Sequence, residues 1–333
     1  DKNAIEFCSR WLQGESIFEF QTSGSTGTPK KISFNRDQMT RSALLTQEAL
    51  QYSKGDTALV CLDVKFIAGA MMLVRSLITG LNMVIVKPSS DPLELITDTI
   101  DFAALVPLQL ITTLNRHRKK LDAIKNLIIG GAPLDKSTIN RLQGVAGSVY
   151  ATYGMTETIT HIAVQKLNGP DRQDFFQALP GISLHIDSRG CLTVQADHLG
   201  PLPVITNDLV TMLSDTQFQW SGRADKVINS GGIKVQPEKI EKIIKDVFEI
   251  HKVQNRFFVT GVPDTHLGEK VVIFIEGEIQ SALESNLRDE LELRLSKYEV
   301  PQKILKTSAF IETATQKIDT MATVRGVLTT GIE

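Results

Sequence analysis

The chain has 333 residues, 42% apolar and 22% charged, with a net charge of -2. That length suggests about two domains with a sizeable core. The charge balance gives no electrostatic case for nucleic acid or an anionic membrane. Three scattered cysteines, Cys8, Cys61 and Cys191, form no disulfide framework or metal-ligand spacing, and nothing at Asp1 resembles a signal peptide. A cytoplasmic setting is therefore expected.

In chain order, good helix formers after Asp37 predict a helix over residues 37–53. Thr57–Leu62 reads as a short buried strand. The longest apolar run, residues 67–86, contains Arg75, Asn82 and two glycines. It therefore reads as a helix (Ile67–Ile78) and a strand (Met83–Lys87), not a membrane span. Pro92–Thr99 is predicted helical, Ala103–Val106 a strand stopped by Pro107, and Lys125–Ile129 an apolar strand ending in two glycines. Alternating helices and strands predict an α/β fold with parallel strands. From about Pro180 the pattern changes to short strands (Ile182–Asp187, Leu192–Gln195, Asp208–Leu213), predicting a β-rich antiparallel sheet or barrel. A break at residues 222–226 precedes a helix (Pro237–Val247), two strands (Arg256–Val262, Lys270–Glu276), a charged helix (Ser281–Ser296) and a strand (Lys303–Thr307). That small α+β unit is long enough to fold alone. The predicted division is 1–224 and 225–333, with the boundary at Asp225.

Four segments carry chemistry. Thr22, Ser23, Gly24, Ser25, Thr26, Gly27 and Thr28, followed by Pro29 and Lys30, combine hydroxyls, two glycines and a cation. Glycines let backbone N–H groups form a concave anion nest, which suits a polyphosphate. The spacing is not G-x-x-x-x-G-K-[ST], so the P-loop NTPases are excluded. A flexible Ser/Thr/Gly linker is the plainer reading, against which the order on both sides argues. Gly130, Gly131, Ala132 and Pro133 end an apolar strand, where a ligand can approach the backbone; a tight turn explains the same residues. Thr152, Tyr153, Gly154, Met155, Thr156, Glu157 and Thr158 place a carboxylate and hydroxyls beside an aromatic ring. Glu157 is the candidate Mg²⁺ ligand, Thr156 a phosphate donor and Tyr153 a base-stacking ring, with a solvated surface turn as the alternative. Asp208 can accept from both hydroxyls of a ribose, and Arg223 can donate to the same sugar; a surface ion pair would look alike.

Taken together and in this order, these segments resemble the adenylate-forming acyl-CoA synthetase superfamily across nearly the whole chain. The resemblance implies a large N-terminal α/β domain with a β-rich subdomain and a small mobile C-terminal α+β domain. It implies that a carboxylate reacts with ATP to give an acyl-adenylate and pyrophosphate, after which the CoA thiol displaces AMP. Carried onto matching positions, it makes Glu157 the Mg²⁺ ligand, Asp208 and Arg223 the ribose holders and Asp225 the hinge. Ser230, Gly231 and Gly232 become the loop that faces the site during CoA transfer, and Lys317 the adenylation lysine. Gln316 stands where the family usually has glycine, and only 21 residues precede Thr22, far fewer than typical members carry. The chain is expected to lack most of the usual N-terminal subdomain.

Within the superfamily the chain looks most similar to o-succinylbenzoate-CoA ligases of menaquinone biosynthesis, in the compact Bacteroidetes-like form. Phe66, Gly69, Arg75, Gly131, Thr158 and His161 then fall in the expected acyl pocket. Arg75 interrupts an apolar helix, and a buried charge needs a partner. The spare carboxylate of o-succinylbenzoate is one such partner; an internal salt bridge or a snorkelled arginine is the other reading. The expected partners are small molecules only: ATP, CoA and an aromatic carboxylic acid, with Mg²⁺, no nucleic acid and no membrane insertion. A homodimer stays open. So do an acyl-CoA synthetase for another aryl or fatty acid and a carrier-protein-loading adenylation module without CoA ligation.

Overall fold

The computed structural model describes residues 1–21, 31–312 and 318–329. The expected phosphate loop, Thr22–Lys30, and Lys317 therefore lie outside the described residues.

Helix α1 (Lys2–Leu12) is followed by a hairpin of β1 (Ile17–Gln21) and β2 (Lys31–Asn35). Helix α2 (Arg36–Leu50) starts in a reciprocal capping box between Asn35 and Gln38, which satisfies two orphan amides. Strand β3 (Thr57–Val60), helix α3 (Ile67–Thr79) and strand β4 (Asn82–Ile85) follow. Then come β5 (Ile100–Leu105), α4 (Pro107–Arg116), β6 (Ile124–Ile129), α5 (Lys136–Arg141) and β7 (Ser148–Gly154). The next strands are β8 (His161–Lys166), β9 (Phe176–Ala178), β10 (Ser183–Ile186), β11 (Cys191–Gln195), β12 (Val204–Ser214) and β13 (Gln217–Arg223).

Strands β3 to β13 form one sheet in the order β10-β11-β12-β13-β9-β8-β7-β6-β5-β3-β4. The segment from β4 to β7 is parallel, and its inner strands β3, β5 and β6 are mostly buried and apolar, as a sheet covered on both faces requires. From the β7–β8 pair onward every pairing is antiparallel. The β-rich region expected after Pro180 is thus continuous with the α/β sheet.

Two local expectations change. Residues 92–99 form turns rather than a helix: Leu93 O accepts from Ile96 N–H at 3.1 Å, and Lys120 Nζ also donates to the Leu93 and Glu94 carbonyls at 2.8 and 2.6 Å. The Leu93–Ile96 bond spans three residues, the spacing of a turn, where an α-helix spans four. Pro107 does not merely stop a strand. It sits in the first turn of α4, where its missing N–H costs nothing.

The remaining chain builds β14 (Ile228–Ser230), β15 (Ile233–Val235), α6 (Pro237–Ile250), β16 (Phe257–Asp264), β17 (Gly268–Glu276), α7 (Ser281–Arg294), β18 (Lys303–Thr307) and α8 (Thr320–Thr329). Its sheet runs β15-β14-β17-β16, with β18 parallel to β17. The buried clusters of this part contain no residue before Ile228, and those of the large sheet none after Phe218. No helix among the described residues is long and apolar enough to cross a membrane.

Candidate active site

The site grows from the carboxyl ends of the adjacent parallel strands β6 and β7, where the sheet changes from parallel to antiparallel. Ligands of open α/β sheets bind outside the carboxyl ends of strands. Gly130 leaves β6 so close to β7 that a Cβ would lie 2.7 Å from Thr152 Oγ1, and that hydroxyl donates to Ile129 O at 3.1 Å. Gly131 has φ +97°, a conformation only glycine adopts readily, and Gly131, Ala132 and Pro133 are exposed beyond it. Two of the predicted segments are therefore side by side.

At the end of β7 the chain turns sharply into β8. A Cβ on Gly154 would lie 2.3 Å from Thr160 O, and the strand register shifts at this point. Thr158 staples the turn: it is fully buried, accepts from Met155 N–H at 3.0 Å and lies 2.7 Å from Thr160 O. Ile159 has φ +66°, which strains a β-branched residue. The same turn leaves Glu157 exposed, without a salt bridge or hydrogen bond among the described residues. One exposed carboxylate fits Mg²⁺, which keeps several waters and takes its other ligands from substrate phosphates.

Tyr153 points inward. Its ring packs on Phe218 at 5.0 Å and Phe176 at 5.8 Å, and its hydroxyl donates to Asp208 Oδ2 at 2.7 Å. Burial and the Asp208 charge push the phenol pKa up, so it stays a donor. Asp208, on β12, is buried; its Oδ1 accepts from Trp220 Nε1 at 3.1 Å and lies 3.6 Å from Arg223 Nη1. Arg223 points most of its fork at Asp225, with bonds of 2.9 and 2.6 Å, and this holds the Asp225 carboxyl below the usual range. Asn207 Nδ2 approaches the same carboxylate at 3.4 Å, and Arg189 Nη1 fixes Asn207 Oδ1 at 2.8 Å.

A second cluster lies between α2, α3 and the start of β8. Arg75 is 2% exposed. Its Nε donates to Thr46 Oγ1 at 3.3 Å and its Nη2 to Thr160 Oγ1 at 3.2 Å, while Nη1 meets Met72 Sδ at 3.7 Å. No carboxylate among the described residues pairs with it, and burial pushes its pKa down. Thr46 Oγ1 lies 3.2 Å from both Ser42 O and His161 Nε2, and its single proton serves one of the two. Burial, reinforced by the Arg75 charge, holds His161 well below the ordinary value of 6.5.

Other predicted residues stand apart. Phe66 caps the opposite end of α3 from Arg75 and is 40% exposed. Gly69 lies in the first turn of that helix, against Asp63 O. Ser230, Gly231 and Gly232 form the β14–β15 turn, where Gly231 N–H donates to Leu267 O at 2.9 Å and Ser230 is fully buried. Sequence reasoning missed Thr46 and Thr160 as partners of Arg75. The four-residue spacing of Ser42 and Thr46 on one helix face was a readable signal. It also gave Trp220 no role, and nothing local would have supplied one.

Residues 16–196 match the AMP-binding enzyme family. Two curated relatives, both 2-succinylbenzoate–CoA ligases, come from Lactococcus lactis subsp. lactis and Salmonella typhimurium. They are 25% and 26% identical to this chain, covering 89% and 96% of it and 68% and 71% of their own lengths. A solved acyl-CoA synthetase (AMP-forming)/AMP-acid ligase II-like protein from Dyadobacter fermentans is 40% identical with a TM-score of 0.65. The match covers 97% of this chain and 93% of that one. The o-succinylbenzoate coenzyme A synthetase of Bacillus subtilis, solved with ATP and magnesium, shares the fold at a TM-score of 0.78 and 19% identity, over 92% of this chain and 69% of that one. With more than half of its residues in the match, this chain belongs to the AMP-binding enzyme family.

Proposed function

We propose that the chain is an AMP-forming acid–CoA ligase that activates o-succinylbenzoate, a step of menaquinone biosynthesis. The observation that carries the acyl specificity is the buried Arg75 guanidinium, which lacks a carboxylate partner among the described residues and reaches Thr160, three residues past Glu157. A buried cation without an anion is costly, and a ligand carboxylate is the natural partner. The curated relatives named 2-succinylbenzoate–CoA ligase support the same reading.

In the first half-reaction one substrate carboxylate oxygen attacks the α-phosphorus of ATP. A bond from that oxygen to phosphorus forms, the α–β phosphoanhydride breaks, and pyrophosphate leaves. Thr22–Thr28 and Lys30 cradle the β- and γ-phosphates, Gly130–Pro133 and Thr152–Met155 flank the nucleotide, and Thr156 donates to a phosphate. Asp208 accepts from the ribose hydroxyls with Arg223 beside it. Glu157 holds Mg²⁺, which when bound neutralises phosphate charge. Lys317 stabilises the charge developing on the α-phosphate. In the second half-reaction the CoA thiol sulfur attacks the acyl carbonyl carbon, the carbon–sulfur bond forms, the bond from that carbon to the phosphate oxygen breaks, AMP departs and the thiol proton is released to solvent. Residues 225–333 turn about Asp225 to bring Ser230–Gly232 to the site.

A pyrophosphate-release screen across carboxylic acids tests the substrate, with acyl-CoA detected by mass. Arg75→Met tests the residue. Loss of a charge-assisted bond, about 1.5–3 kcal/mol, should raise KM for o-succinylbenzoate by about tenfold to a hundredfold and leave a monocarboxylic acid little changed. The ligand-free variant should be as stable as the parent or more so, because an unpaired buried charge has been replaced by an apolar chain. Equal losses for both acids, or a marked fall in stability, would sink the assignment.

A further inference from the structure

Trp220 lies in a strand whose regular alternation would turn it away from the site. Across β12 and β13 the pairs run Asp208 with Arg223, Leu209 with Gly222, then Val210 with Trp220, leaving Ser221 without a partner. Residues opposite one another in an antiparallel pair share a face, and faces alternate along a strand. Counted without interruption from Arg223, Trp220 would fall on the face away from Asp208. The one-residue bulge at Ser221, beside Gly222 at φ +140°, moves it to the Asp208 face. Bulges next to active sites commonly re-aim a side chain in this way.

What Trp220 does there follows from the acceptor count. A carboxylate has two oxygens with about four lone-pair sites. Tyr153 takes one on Oδ2 and Trp220 one on Oδ1, at 2.7 and 3.1 Å. The backbone N–H of Asp208 is itself held by Thr206 Oγ1 at 3.0 Å. One site on each oxygen remains, a pair suited to two vicinal hydroxyls. The indole has a single donor and no acceptor, so it can hold the carboxylate without competing for its ligand.

We propose that Trp220 is a positioning residue of the nucleotide site, whose indole N–H fixes the Asp208 carboxylate in the orientation that receives the two ribose hydroxyls. This rests on the reading of Asp208 as the ribose acceptor. Trp220→Phe keeps the aromatic packing and removes only the donor. AMP and dideoxy-AMP, which lacks both ribose hydroxyls, are titrated into the full chain and the variant by calorimetry. The parent should prefer AMP, and Trp220→Phe should weaken AMP by about three- to tenfold while leaving dideoxy-AMP unchanged. An equal loss for both ligands would mean Trp220 acts through packing, and an undiminished AMP preference in Trp220→Phe would mean it does not orient Asp208. Either overturns the proposal while the ribose reading stands. A parent that binds both ligands equally overturns the ribose reading and the proposal with it.

Discussion

The Arg75 guanidinium and the His161 ring share one hydroxyl, Thr46 Oγ1, and each makes a positive charge on the other less favourable. Arg75 keeps its charge at any ordinary pH, so His161 stays neutral. In the unfolded chain His161 regains its ordinary pKa of 6.5, above its folded value. As pH falls below that point the unfolded state binds a proton that the folded state refuses, and stability declines. The contribution is intact above the unfolded pKa and is lost as pH drops toward the folded one. His161→Gln can still hydrogen-bond Thr46 but does not titrate. The difference in melting temperature between about pH 7.5 and about pH 5.5 should be smaller in the variant than in the parent. Identical differences would show that His161 does not govern the acid limb.

The helices and strands owe their approach to a few small residues. Gly69 is the sharpest case. A Cβ there would lie 2.4 Å from Asp63 O and 2.8 Å from Leu62 O, both backbone atoms just before α3. In an exposed helix Gly→Ala gains about 1 kcal/mol from propensity. Here the sign reverses, since the turn must move or the helix must tilt. Gly69→Ala should cost about 1–3 kcal/mol, read from urea unfolding, and a gain in stability would refute the packing explanation. The same helix bears Arg75, so its seating also sets where the guanidinium lies. The β7–β8 turn works similarly, with Gly154 permitting the approach and Thr158 closing it.

Over the whole molecule, separate apolar cores lie before and after a crossing at residues 219–227, and polar contacts join the two parts. Ser137 N–H donates to Glu249 Oε1 at 3.2 Å, linking α5 to α6, and Gly222 lies against the side chains of Gln236 and Glu238. Such contacts are easily exchanged, as rotation between half-reactions would require. Asp225 lies in a short 3-10 turn, residues 224–226, held by Arg223 and Asn207. Asp225→Pro fixes φ there and restricts Ala224. With a hinge at Asp225, the variant should lose pyrophosphate release, thioester formation from preformed acyl-adenylate, or both. Normal rates in both assays would rule the hinge out.

Sequence alone determined the α/β alternation, the order of the candidate nucleotide-binding segments and the identity of Arg75 as an anomaly, because those depend on local periodicity, turn chemistry and composition. It misjudged residues 92–99, which form turns whose Leu93 and Glu94 carbonyls meet Lys120, 27 and 26 residues on. It could not tell whether Arg75 had an internal anion, since its partners Thr46 and Thr160 are 29 and 85 residues away. Nor could it place Trp220 on the face of Asp208, because one unpaired residue at Ser221 inverts the side-chain alternation and leaves no mark on the pattern of residue types. Those decisions belong to long-range contacts and register, which exist only once the sheet has closed.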